Sequence, residues 1–598
     1  MNWLPPTMYS YETFREEARE LLGGIENCST LEEARRKLFD RVSAIYYDVI
    51  GGGQLLSSNL RIRLRDCVNA FQGMLLHHSA KIAGFDMAQA LWDIARQRPR
   101  PDLQPGFWAD MIYLTRALNK RAAETPVEED DIFEELSGRE AAIARSSELD
   151  ELWHRVMTFT ARYTTGLTDE SRQRRSARRK AILEYYGATL DDWHDWKWQC
   201  AHIIKDGATL QKIVRVSEEQ AREVELARSH RLPFGITPYY ASLMDDDYES
   251  GRDRCIRAQV LPPHIYVEQM SRHRHNRDET FDFMREKDTS PVELITRRYP
   301  AIVILKPFNT CPQICVYCQR NWEIEEAMAC DAESSPSDIR RAIQWIAERP
   351  TVREVLITGG DPLALNDRKL KQILDQVSAI EHVDLIRIGS RTLVTMPMRI
   401  TEKLGRLLGS YRELGKRDIC VVTHFEHPYE ITPDVVLAAN RLKKNGISIY
   451  NQQVFTFYVS RRFETVALRM LLRRIGIDPY YTFVPKGKDE TSDYLVPLAR
   501  VLQERKEEAR LLPGIRRTDE PVYNVPRLGK NHIRARQSRD LLAIKPDGSR
   551  VYEYHPWEKY IVERDPYVAE SVPILDYLLR LEKIGENPDD YMSIWYYF

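Results

Sequence analysis

Cys311, Cys315 and Cys318 fall within eight positions in "NTCPQICVYCQRN" (309–321), with no fourth cysteine beside them. Sites built from thiolates normally use four ligands. The spacing therefore predicts either a ligand from a distant part of the chain or a coordination position kept for a reactant. Zinc sites usually show paired CxxC clusters or a histidine pair, whereas the next cysteine here is the isolated Cys330 and none follows Cys420. Three thiolates on one short loop suit a cubane iron-sulfur cluster, because its irons are close enough for one loop to ligate three and leave the fourth available.

The cysteine count agrees with a metal role. Nine cysteines in 598 residues, an odd number, are too few for a disulfide framework, and a reducing compartment leaves them free for metal. The start, "MNWLPPTMYSYETFREE", lacks a basic region followed by an apolar run, and no stretch reaches the roughly 18 apolar residues of a membrane span. A cytoplasmic protein is expected. Lysine plus arginine (87) nearly cancels aspartate plus glutamate (89), so nothing in the net charge recommends nucleic acid or a membrane as partner. A small-molecule substrate is the expectation.

The elements that must position the cysteines begin near residue 300. "AIVILKPF" (301–308), "EVLITGG" (354–360), "LIRIGSR" (385–391), "CVVTHF" (420–425), "SIYNQQVFTF" (448–457) and "PYYTFVP" (479–485) read as six buried strands. Helical segments separate them: Ile339, Ile343 and Ile346 line one face, as do Leu370, Ile373, Leu374 and Val377, and "TPDVVLAANRLKKNG" runs from an N-cap at Thr432 to a stop at Gly446. Six strand-helix units predict an α/β fold, a partial (β/α)6 barrel with chemistry at the carboxyl ends of its strands. Cys311 follows the first strand, Gly359 and Gly360 end the second, Ser390 and Arg391 the third, and His424 the fourth.

Residues 1–185 read as a helical region of unassigned role, with Leu152, Val156, Phe159 and Tyr163 at helical spacing. The run "RQRRSARRK" (172–180), six basic residues in nine, reads as a solvated helix face beside a boundary rather than a nucleic-acid site. Near the other end, Asp547-Gly548 predicts a hairpin turn.

CxxxCxxC directly after a buried strand resembles the radical S-adenosylmethionine (SAM) enzymes, and "TGGDPL" (358–363) resembles their glycine-rich end to strand two. The resemblance implies a 4Fe-4S cluster on Cys311, Cys315 and Cys318, with SAM chelating the fourth iron, a radical made by its reductive cleavage and a reducing electron donor as partner. It implies cofactor contacts at Gly359, Gly360, Asp361, Ser390, Arg391, His424 and Gln452. "ITRRYP", "RIGSRTLVTMPMRI" (387–400), "THFEHPYEIT" (423–432), "NQQV" (451–454) and "DPYYTF" (478–483), with "WHDWKWQCAHII" (193–204) and "RLPFGITPYYASLMD" (231–245) upstream, resemble the lysine 2,3-aminomutase family. Organisation follows: 1–185 helical and without a family counterpart, 186–290 the family's helical leader, 291–490 the radical SAM partial barrel, and 491–598 a segment carrying a pyridoxal phosphate (PLP) lysine plus the C-terminal region.

That family uses PLP held by a lysine after the barrel. "NVPRLGKNHI" (524–533) matches with Lys530, although the family segment has one more residue between proline and lysine. Arg320 matches the arginine that clamps the substrate carboxylate, and Arg298 and Tyr299 match positions near the PLP phosphate. A further family arginine is replaced by an apolar position around Ile302, which leaves Lys306 or Arg391 to complete the phosphate site.

Two aspartates bind the distal ammonium in lysine enzymes of the family, and their positions here match Lys486 and Asn524. A buried lysine repels a distal ammonium and attracts a distal carboxylate. The same exchange marks glutamate 2,3-aminomutases, so the expected reaction is L-glutamate to β-glutamate. If Lys486 is instead solvated and Asp489, Glu490 or Asp493 reaches the substrate, lysine returns, either free or in a protein partner. An electron-transfer protein that has lost the rearrangement is a further alternative. The chain lacks the family's C-terminal cysteine cluster for zinc between subunits, so any homo-oligomer contacts need another basis, with the N-terminal helices as the candidate.

Overall fold

The computed structural model describes residues 3–50, 58–123, 126, 136–485, 489–556 and 565–598. A nine-stranded sheet runs in chain order: β1 (Ile295–Thr296), β2 (Ile302–Phe308), β3 (Glu354–Gly359), β4 (Leu385–Gly389), β5 (Asp418–Thr423), β6 (Ser448–Val454), β7 (Asp478–Phe483), β8 (Glu520–Val525) and β9 (Gly529–His532). The six predicted strands are β2 to β7. Neighbours from β2 to β8 are parallel, while β1 and β9 close the two edges antiparallel. The segment containing Lys530 thus continues the barrel sheet. Sequence patterning missed β8, whose "EPVYNV" carries a proline and lacks a clean period.

Alternation explains the layering. In β2, Val303 and Leu305 are buried among the helices, while Ile302, Ile304 and Lys306 occupy the other face and are half-buried. The helix Pro336–Ala347 shows why the crossovers form: Ser335 caps it by accepting from Asp338 N, proline stands in the first turn, and Ile339, Ala342, Ile343 and Ile346 make the buried stripe.

Curling is what makes a site. β2 and β9 lie seven strands apart, about 34 Å in a flat sheet. Yet Lys530 N, on β9, donates to Tyr299 Oη, just before β2, at 2.8 Å. The sheet therefore bends until its edges meet, and the seam falls at Lys530.

A second core joins the ends of the chain. The helices Leu31–Ile50, Ser58–Met74, Met87–Ala95 and Pro105–Leu118 pack on a three-stranded antiparallel sheet, β10 (Arg539–Ile544), β11 (Arg550–Tyr554) and β12 (Tyr567–Ser571), and on the helix Ile574–Lys583. The predicted hairpin at Asp547-Gly548 connects β10 and β11. Buried Asp110 accepts two hydrogen bonds from Arg550, each 2.8 Å, and Tyr113 stacks on Trp595 with centroids 4.8 Å apart. This core also contains Val484, Tyr523, Val525 and Ile533, so the N-terminal helices brace β8 and β9 from behind.

The basic run departs from a solvated face. Arg178 is buried and pairs with Asp246 (3.1 Å) and Asp245 (3.7 Å), Arg175 pairs with Asp434 (3.4 Å), and Arg174 with Asp245 (3.5 Å). Its charge fastens the helix Asp169–Tyr186 to the leader and the barrel. Among the described residues no helix is long and apolar enough to cross a membrane.

Candidate active site

The cysteine loop leaves the carboxyl end of β2 and is tied down along its length. Ile314 N donates to Gly235 O (3.0 Å) and Val316 N to Gln259 O (2.9 Å), both in the leader, and Thr310 Oγ1 donates to Glu326 O (2.6 Å). From below, Gly360 N donates to Phe308 O (2.7 Å) and Asp361 N to Thr310 O (2.9 Å). A Cβ on Gly360 would stand 2.0 Å from Thr310 O, so the glycine is what lets β3 press against the loop. Gly360→Ala is expected to displace the loop and cut iron loading by about half or more, read as bound iron per chain. Wild-type loading would contradict it.

The thiols are surrounded by donors. Arg391 Nη1 lies 2.8 Å from Cys315 Sγ, and the Arg320 backbone N–H donates to Cys318 Sγ at 3.4 Å. Burial, then Asp361 and the other two thiols, pushes the Cys311 thiol well above its ordinary range. Among the described residues no three His, Cys, Asp or Glu side chains are grouped as donors to a single metal ion. A cubane attaches each thiolate to a different iron, so it needs three thiols on one loop and not three at one point. The donor set fits such a cluster.

Beside the cysteines, the ends of β3 and β4 lock together. Asp361 is buried and accepts from Ser390 Oγ (2.7 Å), Arg391 N (2.9 Å) and Leu363 N (3.0 Å). Arg391 also donates to Glu430 Oε1 (2.9 Å), to Gln259 Oε1 and to His424 O (3.2 Å). Burial, with Arg391 adding, pushes His424 down to about 4. Burial outweighs Arg391 at Glu426 and pushes that carboxyl up to about 8, so both side chains are neutral near pH 7. Tyr317 Oη donates within reach of Glu426 Oε1 (3.3 Å) and Gln259 Oε1 (3.1 Å). Gln452 is half-buried on β6 and its backbone contacts His424. The structure thus brings Asp361, Ser390, Arg391, His424 and Gln452 together around the cysteine loop.

At the seam, Lys530 and Asn524 are direct partners in the β8–β9 pairing and share a face. The ammonium of Lys530 stands 5.0 Å from the ring centre of Tyr299 and 4.9 Å from that of Tyr481. Gly529 has φ +86, and a Cβ there would come within 2.3 Å of Tyr299 Oη. Only glycine allows both the turn and the approach. Arg298, Lys306 and Arg320 gather around Glu286, with Glu323 pairing Arg320 as well. Nε of both Arg298 and Arg320 is buried with no hydrogen-bond partner among the described residues. An orphaned guanidinium donor on Arg298, next in the chain to the Tyr299 ring against which Lys530 lies, fits a phosphate-bearing aromatic cofactor.

Lys486 lies outside the described residues. Of the acids considered with it, Glu490 is buried, Asp493 half-buried and Asp489 exposed. Arg391, one of two candidates for the phosphate site, faces Cys315 and Glu430, which leaves Lys306 as the cation beside Arg298. Sequence reasoning missed Gln259, Glu286, Tyr317, Glu430 and Tyr481 as neighbours of these residues. Glu430 and Tyr481 stand inside motifs already singled out, whereas Gln259 and Glu286 sit in the leader without any local signal.

Residues 305–457 match the model described as the Radical SAM superfamily. An uncharacterized KamA family protein of Methanocaldococcus jannaschii is 42% identical over 98% of each chain, a match that takes in the N-terminal helices. A glutamate 2,3-aminomutase of Clostridioides difficile is 35% identical, over 56% of this chain and 75% of its own. An L-lysine 2,3-aminomutase of Methanococcus maripaludis is 34% identical, over 51% and 68%. With the strand order, the cysteine loop at the carboxyl end of β2 and a full-length relative all in agreement, this chain belongs to the KamA family of the Radical SAM superfamily.

Proposed function

We propose that the protein is a radical SAM, PLP-dependent amino acid 2,3-aminomutase that converts L-glutamate to β-glutamate. The observation that carries this reading is the seam, where a lysine flanked by two tyrosines shares one sheet with the three-cysteine loop. When bound, the cluster with SAM supplies a hydrogen-abstracting radical, and PLP supplies the double bond across which the amino nitrogen migrates. The chain's own residues do the rest. Cys311, Cys315 and Cys318 hold the cluster, and the Asp361, Ser390, Arg391, His424 and Gln452 group shapes the SAM side. Lys530 holds PLP, with Arg298 and Lys306 placed for its phosphate. Arg320, two residues past Cys318, orients the substrate carboxylate with a planar fork suited to that anion.

Asn524 supports glutamate, since a neutral amide opposite Lys530 leaves no carboxylate there for a distal ammonium. One observation favours free lysine as a second reading: the cavity of about 820 Å³ that contains Arg320 is lined by seven carboxylates, Glu323, Glu325 and Asp331 among them, against three cations. Such a lining attracts a cationic side chain.

Anaerobically reconstituted enzyme, supplied with SAM, PLP and a reductant, is expected to form β-glutamate from glutamate and to leave lysine unchanged, as read by chromatography. Turnover of lysine alone transfers the conclusion to the second reading, and turnover of neither defeats both.

A further inference from the structure

Glu286 stands where three parts of the proposed site meet, and none of the roles above uses it. Its backbone is pinned: Glu286 N donates to Asp282 Oδ1 (2.9 Å), and Ser290 Oγ donates to Glu286 O (2.8 Å). Its carboxylate, with a side chain only 11% exposed, faces Arg298 Nη2 (3.2 Å), Lys306 Nζ (3.5 Å) and Arg320 Nη1. Burial alone would raise its pKa, but Arg320, Lys306 and Arg298 together hold it down at about 2, so it is ionised throughout the working range.

The three cations arrive from separate elements. Arg320 belongs to the cysteine loop, Arg298 to the β1–β2 connection and Lys306 to β2. The turn bearing Glu286 also crosses the seam, where Arg527 N donates to Met284 O (3.2 Å) and Arg527 Nε pairs with Asp288 (2.6 Å). Arg527 lies three residues before Lys530 in the chain. One short segment therefore touches the cysteine loop through Arg320 and the lysine hairpin through Arg527.

We infer that Glu286 is a positioning residue that holds the substrate-carboxylate arginine in register with the cofactor-phosphate cations, and that its charge sets how tightly this cluster binds anions. The inference rests on the aminomutase reading for the identity of those anions. Within the acidic lining of the cavity, the directly paired groups are three cations sharing Glu286 and Glu323, a local excess of one positive charge, and neutralising Glu286 doubles that local excess. Anion affinity then rises while the alignment of Arg320 with the lysine hairpin loosens.

Two variants separate charge from shape. Glu286→Gln is expected to bind inorganic phosphate roughly tenfold more tightly, by calorimetry at fixed ionic strength on full-length protein, and to bind PLP more tightly by the visible absorbance of the lysine-bound cofactor. Its kcat falls about tenfold without a rise in KM. Glu286→Asp keeps the charge but shortens the reach, so phosphate affinity stays near wild type while kcat still falls. Unchanged or weaker phosphate binding by Glu286→Gln, in protein with a wild-type thermal midpoint, overturns the inference. Tighter phosphate binding with no cofactor absorbance in any form of the protein supports the charge role of Glu286 and sinks the PLP reading instead.

Discussion

Cys315→Ser is expected to lose the iron-sulfur absorbance and to reduce SAM cleavage by roughly three orders of magnitude or more. The reason lies in the ligand and its surroundings. A serine hydroxyl ionises far less readily than a thiol and is a harder donor, so it is poorly suited to an iron-sulfur cluster. Arg391, 2.8 Å from Cys315 Sγ, is placed to stabilise negative charge on that atom. Unlike a core residue, Cys315 is absent from the hydrophobic clusters that hold the fold, so the thermal midpoint is expected to stay near wild type. Iron and sulfide content, the absorbance spectrum and 5'-deoxyadenosine formation check the expectation together. A full complement of iron in the variant would falsify the assignment of Cys315 as a ligand.

Asp519→Asn is expected to have the largest effect on stability of any single polar change in the barrel, a loss of about 3–5 kcal/mol. Arg462, Arg469, Arg500 and Arg505 are buried behind β7 and β8 with Glu504, Glu507, Glu508 and Asp519. Charges in that setting hold only while each has a partner. Asp519 takes Arg469 at 2.8 Å, Arg505 at 3.1 Å and the Thr482 hydroxyl at 2.6 Å. Asparagine preserves the shape and leaves two guanidinium groups short of a negative charge. Because Asp519 precedes β8 directly, the damage should reach Asn524 and Lys530, lowering both the thermal midpoint and the affinity for PLP. An unchanged midpoint would mean that the network reorganises without cost.

The same carboxylate predicts acid sensitivity. Burial opposes its ionisation, but Arg469 and Arg505 hold Asp519 well below the usual carboxylate range. A depressed folded-state pKa stabilises the fold above the unfolded value, near about 4, and that contribution is lost as pH falls through and below it. Glu286 and Glu464, each held at about 2, act in the same direction. Glu508 runs the other way, because burial raises it despite Arg469 and Arg505. Wild-type stability should therefore drop steeply below about pH 4, and the Asp519→Asn slope should be shallower.

Much of the barrel was legible in the chain because its signals are local. Val303 and Leu305, or Ile386 and Ile388, alternate with half-buried neighbours as a sheet covered on one face requires. Ser335, Asn366 and Thr432 announce helix starts because each accepts a hydrogen bond from a backbone N–H three residues on. β8 escaped because it follows a long helical excursion and its side chains are buried on both faces, which erases the period of two. The N-terminal helices were legible as helices, but their bond to β11 through Asp110 and Arg550 joins positions 440 residues apart.

By itself the sequence determined three thiols on one loop, a Gly-Lys pair in "NVPRLGKNHI" and the strand-helix repeat, since each depends on residues a few positions apart. Tertiary structure alone decided that Tyr299 meets Lys530, that Arg391 faces Cys315 and that Glu286 gathers Arg298, Lys306 and Arg320. The first of these contacts exists because the sheet curls until its edges meet. Curl is the sum of small twists over nine strands, and no local stretch of sequence encodes that sum.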